Sequence, residues 1–298
     1  MLSFKCKNCG AEMSVDVSGN LFCEYCGTKA AFSDKELLQY RDFRKRMLEY
    51  LRSSREVREN RESKDDYLWS MAEPAFFKTK EGQEIRINHI YTSSEPGITM
   101  YLAREAVLYH YTSGHLLDAQ KSESMVRQMN FPEADVRNLR GVVPEFLSKY
   151  ELDDGSVLLP IRRPQDVFPL AMFSCLDPRD VAWIISRMEN ICCLLEYSNM
   201  GHGGIDTEHF FINPFTHQGM LYGGWHLAGR KAVKPDLVAI RTTAKKLLGQ
   251  NPEGMNEPFE KFLNTDPADS AFDDFARWDQ VIETGFGGRR FHDMEVKL

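Results

Sequence analysis

The chain has 298 residues, 42% hydrophobic and 27% charged, enough apolar material for one core of about 200 residues plus smaller modules. Its net charge is −7, and residues 67–298 carry −8, which argues against a nucleic-acid platform in the larger part of the molecule. No apolar run reaches the roughly 18 residues needed to cross a bilayer, and the opening MLSFKCKNCG has no targeting character, so a cytoplasmic protein without membrane insertion is expected.

Cys6 and Cys9 form one C-x2-C pair and Cys23 and Cys26 a second, thirteen residues later. Four thiolates at this spacing suit tetrahedral zinc, and Gly10 and Gly27 stand directly after the pairs, where a knuckle turn requires positive φ. A zinc ribbon over residues 1–32 is expected, with Zn as a structural cofactor, because a closed four-cysteine site leaves no open coordination position. Two disulfides or an iron site are the alternatives; nothing implies an oxidising compartment, and zinc is the commoner occupant. Lys5, Lys7 and Lys29 balance Glu12, Asp16 and Glu24, without the clustered arginines that phosphate contacts require. A folding cap or protein-docking module is therefore preferred to a nucleic-acid contact.

Residues 33–70 read as a charged helical linker. Ser33 and Glu36 make a capping box, and Leu37, Tyr40, Phe43, Met47 and Leu51 form one apolar stripe. Ten basic and nine acidic residues between Asp34 and Asp66 nearly cancel, as on a solvated helix with one face laid on a neighbour. A two-stranded coiled coil is less consistent, because the stripe fades after Leu51.

Strands are expected over Ile85–Tyr91, Ile98–Ala103, Ala106–Tyr111 and Val157–Ile161, with a turn over Thr92–Gly97 and with Arg162 and Arg163 facing solvent. Asp177-Pro178 then starts a buried helix, whose Val181, Ile184, Ile185, Met188, Ile191, Cys192 and Leu195 recur at three-and-four spacing until Gly201 closes it. Phe210–Ile212 and Met220–Tyr222 read as two short strands around an Asn213-Pro214 turn. Further on, Phe259, Phe262, Phe272, Phe275 and Trp278 are expected to fill a core, with a helix C-cap and surface loop at Gly285–Arg290. Cys175, Cys192 and Cys193 read as buried thiols.

The order helix, loop, strand, turn, strand resembles the core of a protein-kinase C-terminal lobe, with HGGIDTEHFFIN, His202 to Asn213, at the place of the catalytic loop. That family's loop runs His-Arg-Asp, a hydrophobe, Lys, two spacers and Asn, and its metal-binding triplet is Asp-Phe-Gly. On this resemblance His202 matches the histidine, while Gly204 stands for the catalytic aspartate, Asp206 for the lysine and His209 for the asparagine. Gly223-Gly224-Trp225 occupies the position of the triplet. Asp236 looks similar to the aspartate that braces the family's loop, although only a dozen residues separate it from Gly223 and leave almost no activation segment.

The implied fold class is α+β: a bilobal kinase-like domain, with a small antiparallel sheet lobe over 71–160 and a helical lobe over 161–298, behind the ribbon and the charged helix. Phosphoryl transfer depends on positioning and on neutralising phosphate charge, so losing the proton acceptor and the metal anchor implies a pseudokinase. No lysine occurs between Glu81 and Gln120, which leaves His110 or a distant arginine as the only cation for phosphates, and nucleotide binding is not expected. A protein-binding scaffold or adapter is the favoured function. The alternatives are an atypical nucleotide-binding kinase using Asp206 or Glu208, and a nucleic-acid-associated adapter acting through the ribbon. A second metal site at His202, His209, His217 and His226 with Asp206 and Glu208 is disfavoured, because no histidine pair has four-residue helical spacing.

Overall fold

The computed structural model describes residues 4–5, 12–15, 21–23, 26–30, 34–53, 68–133, 139–249 and 253–294. They fall into two compact units, 1–117 with 146–165 and 118–145 with 166–297. Among the described residues, no helix is long and apolar enough to cross a membrane.

The first unit opens with a four-stranded antiparallel sheet of β1 (Phe4–Lys5), β2 (Glu12–Val15), β3 (Leu21–Phe22) and β4 (Lys29–Ala30). Helix α1 (Asp34–Arg52) follows and buries Phe43, Met47, Leu48 and Tyr50 along one face. Arg46 ties it to the next segment by donating to Ser70 Oγ at 2.9 Å. Two members of the expected stripe, Phe43 and Met47, are therefore in the core. The rest of the charged stretch, 54–67, lies outside the described residues.

Six further strands form an antiparallel sheet: β5 (Glu73–Lys78), β6 (Glu84–Glu95), β7 (Ile98–Ala103), β8 (Ala106–Tyr111), β9 (Tyr150–Glu151) and β10 (Val157–Arg162), in the order β5-β6-β7-β8-β10-β9. Just past β5, Thr79 bridges Leu152, while Asp153 N–H donates to the Lys78 carbonyl at 3.0 Å and Lys80 N–H to that of Glu151 at 2.9 Å. The two end strands of the sheet thereby meet over residues 78–80 and 151–153. Ile87, Leu108, Leu152 and Leu158 fill the interior, with Phe77, Ile85 and Tyr101 packed against them.

Two expectations change here. β6 runs on to Glu95, so the turn placed at Thr92–Gly97 shrinks to Pro96-Gly97. Arg163, placed in solvent, is buried: it donates to the Arg104 carbonyl at 2.6 Å and its guanidinium lies 5.4 Å from the Trp69 ring centre. A cation over an indole gains attraction while its planar head remains hydrogen-bonded.

In the second unit, α2 (Leu116–Arg127) belongs here from Asp118 onward. The three-stranded sheet β11 (Phe168–Pro169), β12 (Phe210–Asn213) and β13 (Gln218–Leu221) accompanies helices α3 (Pro178–Tyr197), α4 (Lys234–Leu248), α5 (Glu257–Asn264) and α6 (Ala271–Phe286). Asp177 caps α3 by accepting from Arg179 N–H, Pro178 takes the first turn, and most of the helix is buried against α4 and α6. Phe259, Phe262 and Trp278 pack together as expected, but Phe272 is 53% exposed. Cys192 is buried, whereas Cys175 is exposed. Gly287, at φ 71°, caps α6 in the left-handed region.

The core of this unit holds an unusual charge. Glu189 and Asp274 are fully buried; Arg241 pairs with Asp274 at 2.8 Å, stands 3.9 Å from Glu189, and lies over the Phe262 ring. Burial, then the Asp274 charge, pushes the Glu189 carboxyl up to about 9 against the pull of Arg241. The folded state therefore keeps a proton that the unfolded chain releases above its ordinary value of 4.5. This contribution to stability is complete below that value and declines as pH rises toward 9. Replacing Glu189 with Gln keeps the shape and removes the titration, so melting curves between about pH 5 and pH 9 should show a flatter decline than the native chain; parallel declines would contradict the assignment.

Candidate functional site: a braced loop in the helical unit

After α3 the chain turns sharply, with Met200 N–H donating to the Leu195 carbonyl and Asn199 at φ 53°. Gly201 pairs in both directions with Gly229, each bond 3.0 Å. The segment following Gly223 is thus stitched directly to the start of the loop. Next, Asp236, 1% exposed in the first turn of α4, accepts from His202 N–H at 2.7 Å through Oδ2 and from Gly203 N–H at 2.6 Å through Oδ1. Burial moves its carboxyl above the usual carboxylate range, and the two N–H donors, with Lys231, pull it back. The bracing geometry implied by the resemblance is present.

His202 is fully buried, its ring edge-on to Trp225 at 5.1 Å. Its Nδ1 accepts from Gly204 N–H at 3.2 Å. Burial, then the His209 charge, pushes it down to about 3, so it stands neutral as a packing group. Trp225 is anchored in turn through its indole N–H, which donates to the Leu221 carbonyl at 2.8 Å.

Two of the glycines are required by their backbone conformation. Gly203 lies at φ 76°, and a Cβ there would collide with the Lys231 ammonium. Gly224 lies at φ 71°, and a Cβ would stand 2.8 Å from His202 Cε1 and 3.0 Å from His209 Nδ1. At Gly204, where the family's proton acceptor would project, a Cβ meets Leu227 Cδ1 at 2.7 Å. Leu227 therefore covers the position, and its carbonyl also accepts from Lys231 Nζ at 2.8 Å. Sequence reasoning missed Leu227 and Lys231, since their place depends on the short segment folding back over the loop.

Asp206 and His209 are engaged with the loop itself. Asp206 Oδ1 accepts from Glu208 N–H and His209 N–H, each at 2.8 Å, and lies 3.2 Å from His209 Nδ1. Burial alone would raise the Asp206 carboxyl, but the His209 charge and hydrogen bonds outweigh it and hold the group below its usual value. His209 Nδ1 also lies 2.9 Å from the Gly204 carbonyl. This is a side-chain turn that shapes the backbone. Its proton affinity is lowered, the opposite of what a general base needs.

Of the four histidines weighed as metal ligands, His202 and His209 both lie against Gly224, whereas His217 stacks on Trp183. Among the described residues no group of three or more His, Cys, Asp or Glu stands ready to hold a metal ion. Cys6 and Cys9 lie outside the described residues. Of the second pair, Cys23 is buried and Cys26 exposed. Gly27 N–H donates to the Cys23 carbonyl and Cys23 N–H to that of Thr28, both at 2.8 Å, and Gly27 has the positive φ, 71°, expected of it.

In the first unit the β6–β7 hairpin stands where a phosphate-covering loop would be looked for, and its tip is tight. Thr112 N–H donates to the Gly97 carbonyl at 2.9 Å, and the His115 ring sits against Gly97 so closely that no Cβ could be added there. His110, the candidate cation, is half buried; its Nε2 is 2.8 Å from Ser156 Oγ and its ring is 5.3 Å from that of Phe77. Burial lowers its proton affinity, partly offset by Asp154.

No protein-family model matches the sequence, and no curated protein does either. Among solved structures, the Drosophila melanogaster PAN3 pseudokinase aligns over 72% of this chain at 11% identity and TM-score 0.43, and the chain spans 64% of that protein. The BubR1 kinase domain aligns over 66% of this chain and 80% of its own at 9% identity and TM-score 0.46. A double mutant of the Mycobacterium tuberculosis PknI kinase domain aligns over 66% and 94% at 12% identity and TM-score 0.42. Likenesses this slight leave the functional reading to the loop's own geometry.

Hydrogen bonds to a charged group contribute about 1.5–3 kcal/mol each. Asp236→Ala, which removes two of them, should lower unfolding free energy in urea by about 3 kcal/mol or more; a loss under about 0.5 kcal/mol would remove the brace from the account.

Proposed function

We propose that this chain is a catalytically inactive, kinase-like protein, a pseudokinase, that works as a protein-binding scaffold or adapter and carries a structural zinc ribbon. One observation carries the reading: the loop from His202 to His209 is braced by Asp236 as a catalytic loop would be, yet Leu227 covers the acceptor position at Gly204. The frame is retained where the chemistry is missing. The tight Pro96-Gly97 tip and the engagement of His110 with Ser156 support the same reading for nucleotide binding, since neither offers donors to a triphosphate. Asp206 as a substitute base is disfavoured by its backbone bonds and lowered proton affinity.

The ribbon is the second part of the proposal. The hydrogen bonds that join Cys23 to Gly27 and Thr28 are compatible with Cys23 and Cys26 sharing one ion, and Cys6 and Cys9 would complete a tetrahedral set. Zinc there would stabilise the ribbon by binding only the folded chain. With a balanced charge in residues 1–32, the ribbon is assigned to a protein contact in preference to nucleic acid. A cytoplasmic location belongs to the same proposal.

Purified protein incubated with labelled ATP and magnesium should transfer no phosphate to itself or to a general acceptor, and Gly204→Asp alone should not restore transfer. Transfer by the native chain that is lost on changing Asp206 or Glu208 would establish the atypical-kinase alternative. In the same preparation, native mass spectrometry should find about one zinc per chain, and Cys23→Ser should reduce that occupancy; a metal-free native chain whose melting ignores chelator would remove the ribbon.

A further inference from the structure

The segment after α6 is folded back onto the helical unit by a set of contacts that the loop does not use. α6 stops at Gly287 and Gly288, both with positive φ (71° and 92°), and the chain reverses. Arg289 pairs with Asp279 and lies over the Phe275 ring at 5.5 Å. Phe291 stacks on His217 with centroids 4.3 Å apart, and His217 stacks in turn on Trp183, also at 4.3 Å with planes 4° apart. His292 then reaches Asp180 Oδ1 at 2.9 Å.

The receiving surface is built independently of the tail. Asp180 and Trp183 lie on one face of α3, and Arg187, a turn further on, holds the β12–β13 turn by donating to the His217 carbonyl at 2.6 Å. His217 sits at φ 54°, a conformation rarely taken by residues other than glycine, which aims its ring at the indole. Burial, then the His292 and Arg187 charges, pushes it down to about 4, so a neutral ring stacks. Asp180 is fully buried; burial pushes its carboxyl up to about 6, against the pull of His292.

The tail fills this surface incompletely. Phe291 remains 66% exposed, so only one ring face is used. Asp180 Oδ2, Trp183 Nε1 and His217 Nε2 are buried and have no hydrogen-bond partner among the described residues. The indole N–H faces the Asp180 carboxylate and helps to hold it charged.

From these contacts we infer that Asp180, Trp183 and His217 form a peptide-binding site for an aromatic residue followed by an imidazole or other cationic side chain, and that the chain's own Phe291-His292 occupies it as a displaceable plug. The glycine pair supplies the hinge. A partner segment bearing the same two-residue chemistry would compete with the tail, which acts at the high effective concentration of a tethered ligand. The inference does not depend on the pseudokinase reading.

The test uses the full chain and a fluorescent peptide matching residues 289–293. The variant Phe291→Ala/His292→Ala should bind the peptide saturably in anisotropy titrations, and the native chain at least about tenfold more weakly because its tail competes. Adding Asp180→Ala to the double variant, or replacing the peptide's phenylalanine with alanine, should abolish binding. Equal affinity for native and double-variant chains, or no binding to a double variant that melts as the native chain does, would overturn the inference. If the double variant unfolds, Phe291→Ala alone serves with the same expected order, because its exposed ring leaves the core intact.

Discussion

One buried carboxylate organises the helical unit. Asp236 lies in the first turn of α4 and accepts from two successive backbone N–H groups of the loop that follows α3. A carboxylate with 1% exposure is stable only when its lone pairs are matched, and the donors come from the segment whose conformation matters. The rest follows from that grip: His202 is held against Trp225, Gly201 pairs with Gly229, and Leu227 comes to rest over Gly204.

The same geometry fixes the loop's shape without calling on its side chains. Bracing uses backbone N–H groups, which every residue except proline supplies, so the identities of side chains at 204, 206 and 209 are free to drift. Here those positions serve packing and turn chemistry. Gly203 and Gly224 satisfy positive φ beside crowded neighbours, and Asp206 caps its own turn.

What was legible in the sequence divides along a physical line. α3 could be read because apolar residues recur at helical spacing and Asp177-Pro178 starts it, all of it local. The loop and Asp236 could be singled out because the order of residue types around them is a local pattern. The contact between the sheet's end strands could not, since it depends on Thr79 meeting Leu152, 73 positions later, and EPAFFK carries a proline that weakens its claim as a strand. Arg163 was misplaced for the same reason: a charged residue next to another reads as solvated until Trp69 is brought beneath it. The dispersal of His217 from the other loop histidines and the exposure of Phe272 are likewise tertiary outcomes. The four cysteines remain the clearest signal, because ligand spacing is a local property.

The central claim is that this frame survives without a site for a triphosphate. Equilibrium dialysis of the intact chain against ATP and magnesium tests it most directly. The account predicts no saturable uptake up to millimolar nucleotide; saturable binding near one equivalent, displaced by ADP and lost on changing a residue of the His202–His209 loop, would contradict it.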